Sequence, residues 1–172
     1  PRPVLMTSTL RPARLDWSRG VPFSMDFGDV YFSEAGGMDE TTHVYLEQNQ
    51  LASRFRSCTG NSSFTIAETG FGTGLNWLAT MSLWQRESSA GWLHYVSVEK
   101  HPLALPDLEK AQGLWPAFHE FAAALQKHYP RLLPGFHRIV LPQWRSTLTL
   151  YFGDVADMLP GLAARVDAWF LD

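Results

Sequence analysis

Only one cysteine, Cys58, occurs in the 172 residues, so no disulfide framework and no C-x-x-C metal or redox pair can form within the chain. A buried, inert thiol in a reducing compartment is the expectation. The six histidines never fall into H-x-x-x-H or a Cys/His ligand set, so no metal site is expected, and the absence of a G-x-S-x-G elbow removes serine hydrolases. No run is long and apolar enough to span a bilayer, and Pro1 to Thr7 lack the apolar core of a secretory signal. No membrane partner is expected, and cytoplasmic residence is. Clustered positive charge is also missing: the formal net charge is −3 and no lysine-rich run appears. Apolar residues are plentiful at 45%, enough for one sizeable core and a single domain, expected as a monomer.

The most informative segment runs from Phe64 to Trp77, a buried-type strand that passes through Glu68 into Gly70, Gly72 and Gly74 and then a helical pattern. Glycines without Cβ let the backbone turn sharply and approach a ligand, and a helix start presents unpaired N–H groups. A dinucleotide fingerprint would need glycine where Leu75 stands, and a phosphate loop would need a lysine after Gly74. Glu68 is awkward beside a pyrophosphate but suits a cation such as a sulfonium. The segment therefore points to S-adenosylmethionine, against the plainer reading of a glycine turn needed only for packing.

Two further strand signals end in acids. Trp92 to Lys100 is apolar and β-branched and closes on Glu99, followed by Lys100. A carboxylate at a sheet's carboxyl edge can accept hydrogen bonds from both hydroxyls of a ribose, although a strand-end glutamate can also simply be exposed. Thr147 to Asp154 alternates as a strand and stops at Gly153-Asp154, where Asp154 also reads as a helix N-cap. Val166 to Asp172 is a continuous apolar strand of the kind buried on both faces of a parallel sheet.

The run Glu68-Thr69-Gly70-Phe71-Gly72-Thr73-Gly74 resembles the first motif of class I S-adenosylmethionine-dependent methyltransferases. That resemblance implies that Asp154 bonds the adenine amino group and that Asp172, in enzymes acting on amines, holds the acceptor nitrogen. A terminal carboxylate without function is the competing reading of Asp172. Phe27-Gly28-Asp29-Val30-Tyr31-Phe32-Ser33, Met38-Asp39-Glu40-Thr41, Asn49-Gln50-Leu51, Ala67 to Asn76 and Asp167 to Asp172, taken in order, are similar to the N-terminal half of the bifunctional tRNA 5-methylaminomethyl-2-thiouridine biosynthesis family. The resemblance covers nearly the whole chain. It implies methyl transfer to the aminomethyl nitrogen of a tRNA wobble uridine. It also implies a covalent partner, a flavin-dependent oxidoreductase domain using FAD, whose sequence is absent here. A polyamine-type aminopropyltransferase and a non-catalytic cofactor- or tRNA-binding fragment stay open as alternatives.

The expected fold is α/β: a Rossmann-like class I methyltransferase sheet, truncated after its fourth main strand, with an irregular N-terminal arm. Residues 1–62 form the arm and 63–172 the cofactor-binding core. Within the arm, Asp39 is expected to cap a short helix through Tyr45, and Tyr31 falls in a strand near the cofactor loop, as a core aromatic or a cofactor contact. Helices are expected after Gly74, from near Pro106 and from Pro116, the last with a core stripe of Phe118, Phe121, Ala122 and Leu125. His137 to Leu141 and Ser146 to Phe152 read as an antiparallel pair. Arg2, Arg11, Arg14 and Arg19, and a second group from Lys127 to Arg138, are ordinary surface or a weak grip for tRNA.

Overall fold

The computed structural model describes residues 10–18, 20–31 and 36–171. The expectations for Arg2, Arg19, Phe32, Ser33 and Asp172 lie outside the described residues.

The arm opens as a small antiparallel meander, β1 (Leu15–Asp16), β2 (Phe23–Ser24) and β3 (Asp29–Val30). Tyr31 follows β3 directly. Next comes α1 (Gly37–Glu40), which runs without a break into a π-helical stretch, Thr41–Glu47, and then α2 (Leu51–Arg56). Asp39 does not cap this unit. The N-cap is Gly36, with no side-chain bond, and Asp39 instead sits in the first turn, where a carboxylate still favours the helix dipole.

The remaining chain alternates as the sequence pattern predicts. It comprises β4 (Ser63–Thr69), α3 (Leu75–Glu87), β5 (Trp92–Glu99), α4 (Leu105–Gln112), a 3-10 turn at Pro116–Phe118 leading into α5 (His119–His128), β6 (Gly135–Leu141), β7 (Ser146–Phe152), α6 (Val155–Met158) and β8 (Ala168–Leu171). The sheet order is β6-β7-β5-β4-β8, parallel except for β6 against β7. The chain builds outward from β4 through β5 to β7, then returns to place β8 on the other side of β4. The crevice outside the carboxyl ends of β4 and its neighbours is thus the topological switch point, where open α/β sheets bind ligands. Both prolines expected to open helices occupy first-turn positions, because proline's missing N–H has no partner there in any case.

β4 and β7 are buried almost throughout, as helix-covered parallel strands must be. β8 departs from expectation. It alternates, with Ala168 and Phe170 buried while Trp169 and Leu171 are 39% and 69% exposed, since it is the edge strand among the described residues and only one face is packed. The core centres on α3, whose Trp77, Leu78, Met81 and Trp84 are fully enclosed, so the helix is covered on both sides. Phe55 of α2 meets Phe64 and Trp84 edge-on at ring separations of 5.1 and 5.0 Å, which binds the arm into the same core. The Trp84 indole donates to the Trp144 carbonyl at 3.0 Å. The stripe from Phe118 to Leu125 is buried core, and Cys58 is half-buried rather than fully enclosed.

Trp84→Ala removes these ring contacts and strands the Trp144 carbonyl. It is expected to lower unfolding free energy by about 3 to 5 kcal/mol, read from the urea midpoint at unchanged slope.

Candidate functional site

The three glycines after β4 share one property: Gly70, Gly72 and Gly74 have φ of 82°, 53° and 78°. L-residues pay about 1 to 2 kcal/mol for that left-handed region, so the spacing is a backbone requirement. Space reinforces it. A Cβ on Gly74 would stand 2.9 Å from Phe71 Cζ, and one on Gly72 would stand 3.2 Å from Tyr31 Cδ1. The loop is pinned at its root by the Gly70 N–H donating to the Val98 carbonyl at 2.8 Å, and farther along by Gln112 Nε2 donating to the Thr73 carbonyl at 2.9 Å. Gly74 then leads straight into α3.

This loop forms one wall of a cleft of about 720 Å³. The ends of β5 and β7 form its floor, joined by the Gly153 N–H donating to the Glu99 carbonyl at 2.9 Å, and the arm closes it from above. Glu99 occupies the centre, 9% exposed. Its Oε2 accepts from the Gly72 N–H at 2.8 Å and its Oε1 from the His101 N–H at 2.7 Å. Each oxygen has two lone pairs, so acceptor capacity remains on both.

Tyr31 lies against Gly72 on the cleft wall. Burial, with the nearby Glu99 charge, pushes its hydroxyl pKa up to about 12, so it stays protonated as a donor at neutral pH. At the opposite end Lys100 Nζ pairs with Asp154 Oδ2 at 2.8 Å. Hydrogen bonding by Lys100, aided by the Ala156 N–H, holds the Asp154 carboxyl below its ordinary range, and Asp154 in turn raises Lys100. The Ala156 N–H donates to Asp154 Oδ1 at 3.0 Å, so Asp154 caps α6 while lining the cleft.

Glu68 has a different position. It is 1% exposed and lies behind the wall, accepting from Asn76 Nδ2 at 3.0 Å and from Ser97 Oγ at 2.7 Å. The enclosed Tyr95 hydroxyl nearby has its pKa raised well above ordinary, by burial first and by the Glu68 charge second. Asn76 is the side chain that reaches the cleft, and its Oδ1 accepts from Thr41 Oγ1 at 2.8 Å. The Asn76 amide therefore stands between the Glu68 carboxylate and the cleft.

The structure brings Tyr31, Gly70, Gly72, Glu99, Lys100 and Asp154 to one cleft, sets Gly74 behind it against Phe71 and Gln112, sets Glu68 one layer back and leaves Asp172 outside the described residues. Asn76, Thr41, Glu40 and His101 also line it; the first three belong to the motifs that carry the family resemblance, but none of the four is a site residue on the sequence alone. Asn76 carried the one available signal, as a polar residue in the first turn of the helix that the glycines open.

A family profile described as an S-adenosyl-L-methionine-dependent methyltransferase matches residues 116–172. The chain is 52% identical over 161 residues to the tRNA 5-methylaminomethyl-2-thiouridine biosynthesis bifunctional protein MnmC of Chromobacterium violaceum, covering 93% of the chain and 24% of that protein. The proteins of the same name from Pseudomonas fluorescens and Marinobacter nauticus are 49% and 50% identical over 97% and 98% of the chain. The chain spans about a quarter of the length of these curated relatives. The crystal structure of MNMC2 from Aquifex aeolicus superposes with a TM-score of 0.63 at 16% identity, over 87% of this chain and 44% of that one, and shows the Rossmann-like fold.

Gly72→Ala places a Cβ in left-handed backbone against the Tyr31 ring. A loss of about 1 to 2 kcal/mol is expected, measured as a lowered urea midpoint.

Proposed function

We propose that this chain, a homologue of part of those bifunctional proteins, binds S-adenosylmethionine in the cleft and directs its methyl group to the aminomethyl nitrogen of a tRNA wobble uridine. The observation that carries the reading is the junction of Glu99 with the glycine loop: a carboxylate with spare lone pairs, fixed by two backbone N–H groups beside the start of a helix. That donor set fits an adenosyl cofactor, because it offers acceptors for a ribose diol and backbone close enough for a methionine tail. When bound, S-adenosylmethionine supplies a methyl carbon already activated by a sulfonium leaving group.

The protein's task is then positioning and exclusion of water. Glu99 accepts from the two ribose hydroxyls. Gly70, Gly72 and Gly74 let the main chain approach, with Tyr31 as a protonated donor beside Gly72. Asp154 accepts from the adenine amino group, steered by Lys100. Asp172 orients the neutral acceptor amine and stabilises positive charge developing on it. Glu68 holds Asn76 in place at the sulfonium end.

The name these relatives carry supports tRNA as substrate and does not favour the aminopropyltransferase or binding-only readings. We assign residues 1–62 to an arm and 63–172 to the cofactor core of one monomeric, cytoplasmic domain. No helix among the described residues is long and apolar enough to cross a membrane. In a full-length protein this domain is fused to a flavin-dependent oxidoreductase carrying FAD, in keeping with relatives called bifunctional.

Glu99→Ala is expected to weaken S-adenosylhomocysteine binding by about 30- to 150-fold in isothermal titration, the range for hydrogen bonds to a charged group. Unchanged affinity in a folded variant removes Glu99 from the site. Transfer of labelled methyl to hypomodified tRNA tests the reaction itself.

A further inference from the structure

Among the cleft's carboxylates, the described residues divide into satisfied and unsatisfied groups. Glu99 takes two backbone N–H groups, Asp154 is paired with Lys100 and caps a helix, and Asp29 accepts from the Val30 N–H at 2.8 Å. Glu40 differs. It lines the cleft, is exposed, and its side chain has no hydrogen bond or ion pair to any described residue.

Its backbone, in contrast, is held firmly. Glu40 stands where α1 passes into the π-helical stretch Thr41–Glu47, a rare geometry that concentrates at functional sites. The next residue, buried Thr41, donates to Asn76, Asn76 donates to buried Glu68, and Ser97 of β5 donates to Glu68. This chain of bonds runs from the arm through the first turn of α3 into the centre of the sheet. It fixes the backbone next to Glu40, whose neighbour Thr41 reaches Asn76 across the cleft wall. A carboxylate on an anchored backbone and without a counter-charge among the described residues, in a cleft for an amine-directed reaction, has a cation as its chemical complement.

We propose that Glu40 binds a primary ammonium group in the cleft, with the Thr41-Asn76-Glu68-Ser97 chain as its positioning support. The inference rests on the cofactor reading above. Two ligands carry that chemistry: the α-ammonium of the cofactor's methionine end and the aminomethyl group of the acceptor uridine. Glu40 is exposed, so its contribution is that of a solvent-screened pair and weakens with added salt.

The test is Glu40→Gln, which keeps shape and removes charge, with calorimetric affinities for two matched pairs of probes. S-adenosylhomocysteine is compared with 5′-methylthioadenosine, which lacks the amino acid. With S-adenosylhomocysteine saturating, 5-aminomethyl-2-thiouridine is compared with 2-thiouridine. An about two- to fivefold weakening of the amine-bearing member of one pair, with its amine-free partner unchanged, is the expected result, and the pair affected identifies the source of the ammonium. Unchanged affinity for both amine-bearing probes overturns the proposal, as does equal weakening within a pair, which marks Glu40 as structural only. Wild-type chain that binds neither adenosyl probe overturns the cofactor reading itself, and this inference with it.

Discussion

The site depends on the two backbone N–H groups that Glu99 accepts, from Gly72 and from His101. One belongs to the loop after β4 and the other to the loop after β5, so a single carboxylate ties together the two carboxyl-edge turns at the centre of the sheet. Side chain and main chain are mutually dependent here. Without a left-handed Gly72 the N–H would point elsewhere, and without the carboxylate the loop would have a donor to leave unpaired in a half-closed cleft. The same junction sets where Tyr31 can lie, since its ring packs on the face that Gly72 leaves bare.

Around that junction the arm acts as a roof with several anchors. Arg14 pairs with Asp26 within the arm itself, while the Ala13 N–H donates to the Pro102 carbonyl at 3.1 Å and the Trp17 indole donates to Asp107 Oδ1 at 3.0 Å, which tie the arm to the core. On the other flank Thr41 reaches Asn76. The Trp17 ring also lies under Lys110 Nζ at 4.2 Å. None of these contacts is large alone. Distributed over both sides of the cleft, they make the irregular arm part of the site's wall.

How much of this was legible in the sequence depended on whether the cause was local. The glycine spacing was readable because left-handed backbone permits few other residues, and β4 and β5 were readable because strands covered on both faces need apolar, β-branched runs, whereas β7 reads as an alternating strand and is buried almost throughout. The antiparallel β6 followed from two runs flanking Pro142 to Arg145. Asp154 reads from the sequence as both a helix cap and a cofactor residue, and its geometry joins a cap with a place on the cleft wall. Glu68 illustrates the limit. Its neighbours Asn76 and Ser97 are eight and twenty-nine positions away, a separation no periodicity encodes, so its enclosure behind the wall emerges only from the β4–β5 register that sets Glu68 opposite Ser97. The π-helical stretch was likewise invisible, because its sequence reads only as part of a short helix through Tyr45.

β8 carries a consequence of its own. Its outer row of main-chain groups faces no strand among the described residues, and the Trp169 indole and Leu171 side chain stand out from it. Such a border is adhesive in a directional way: any extended segment with matching amide spacing can zip onto it and lengthen the sheet.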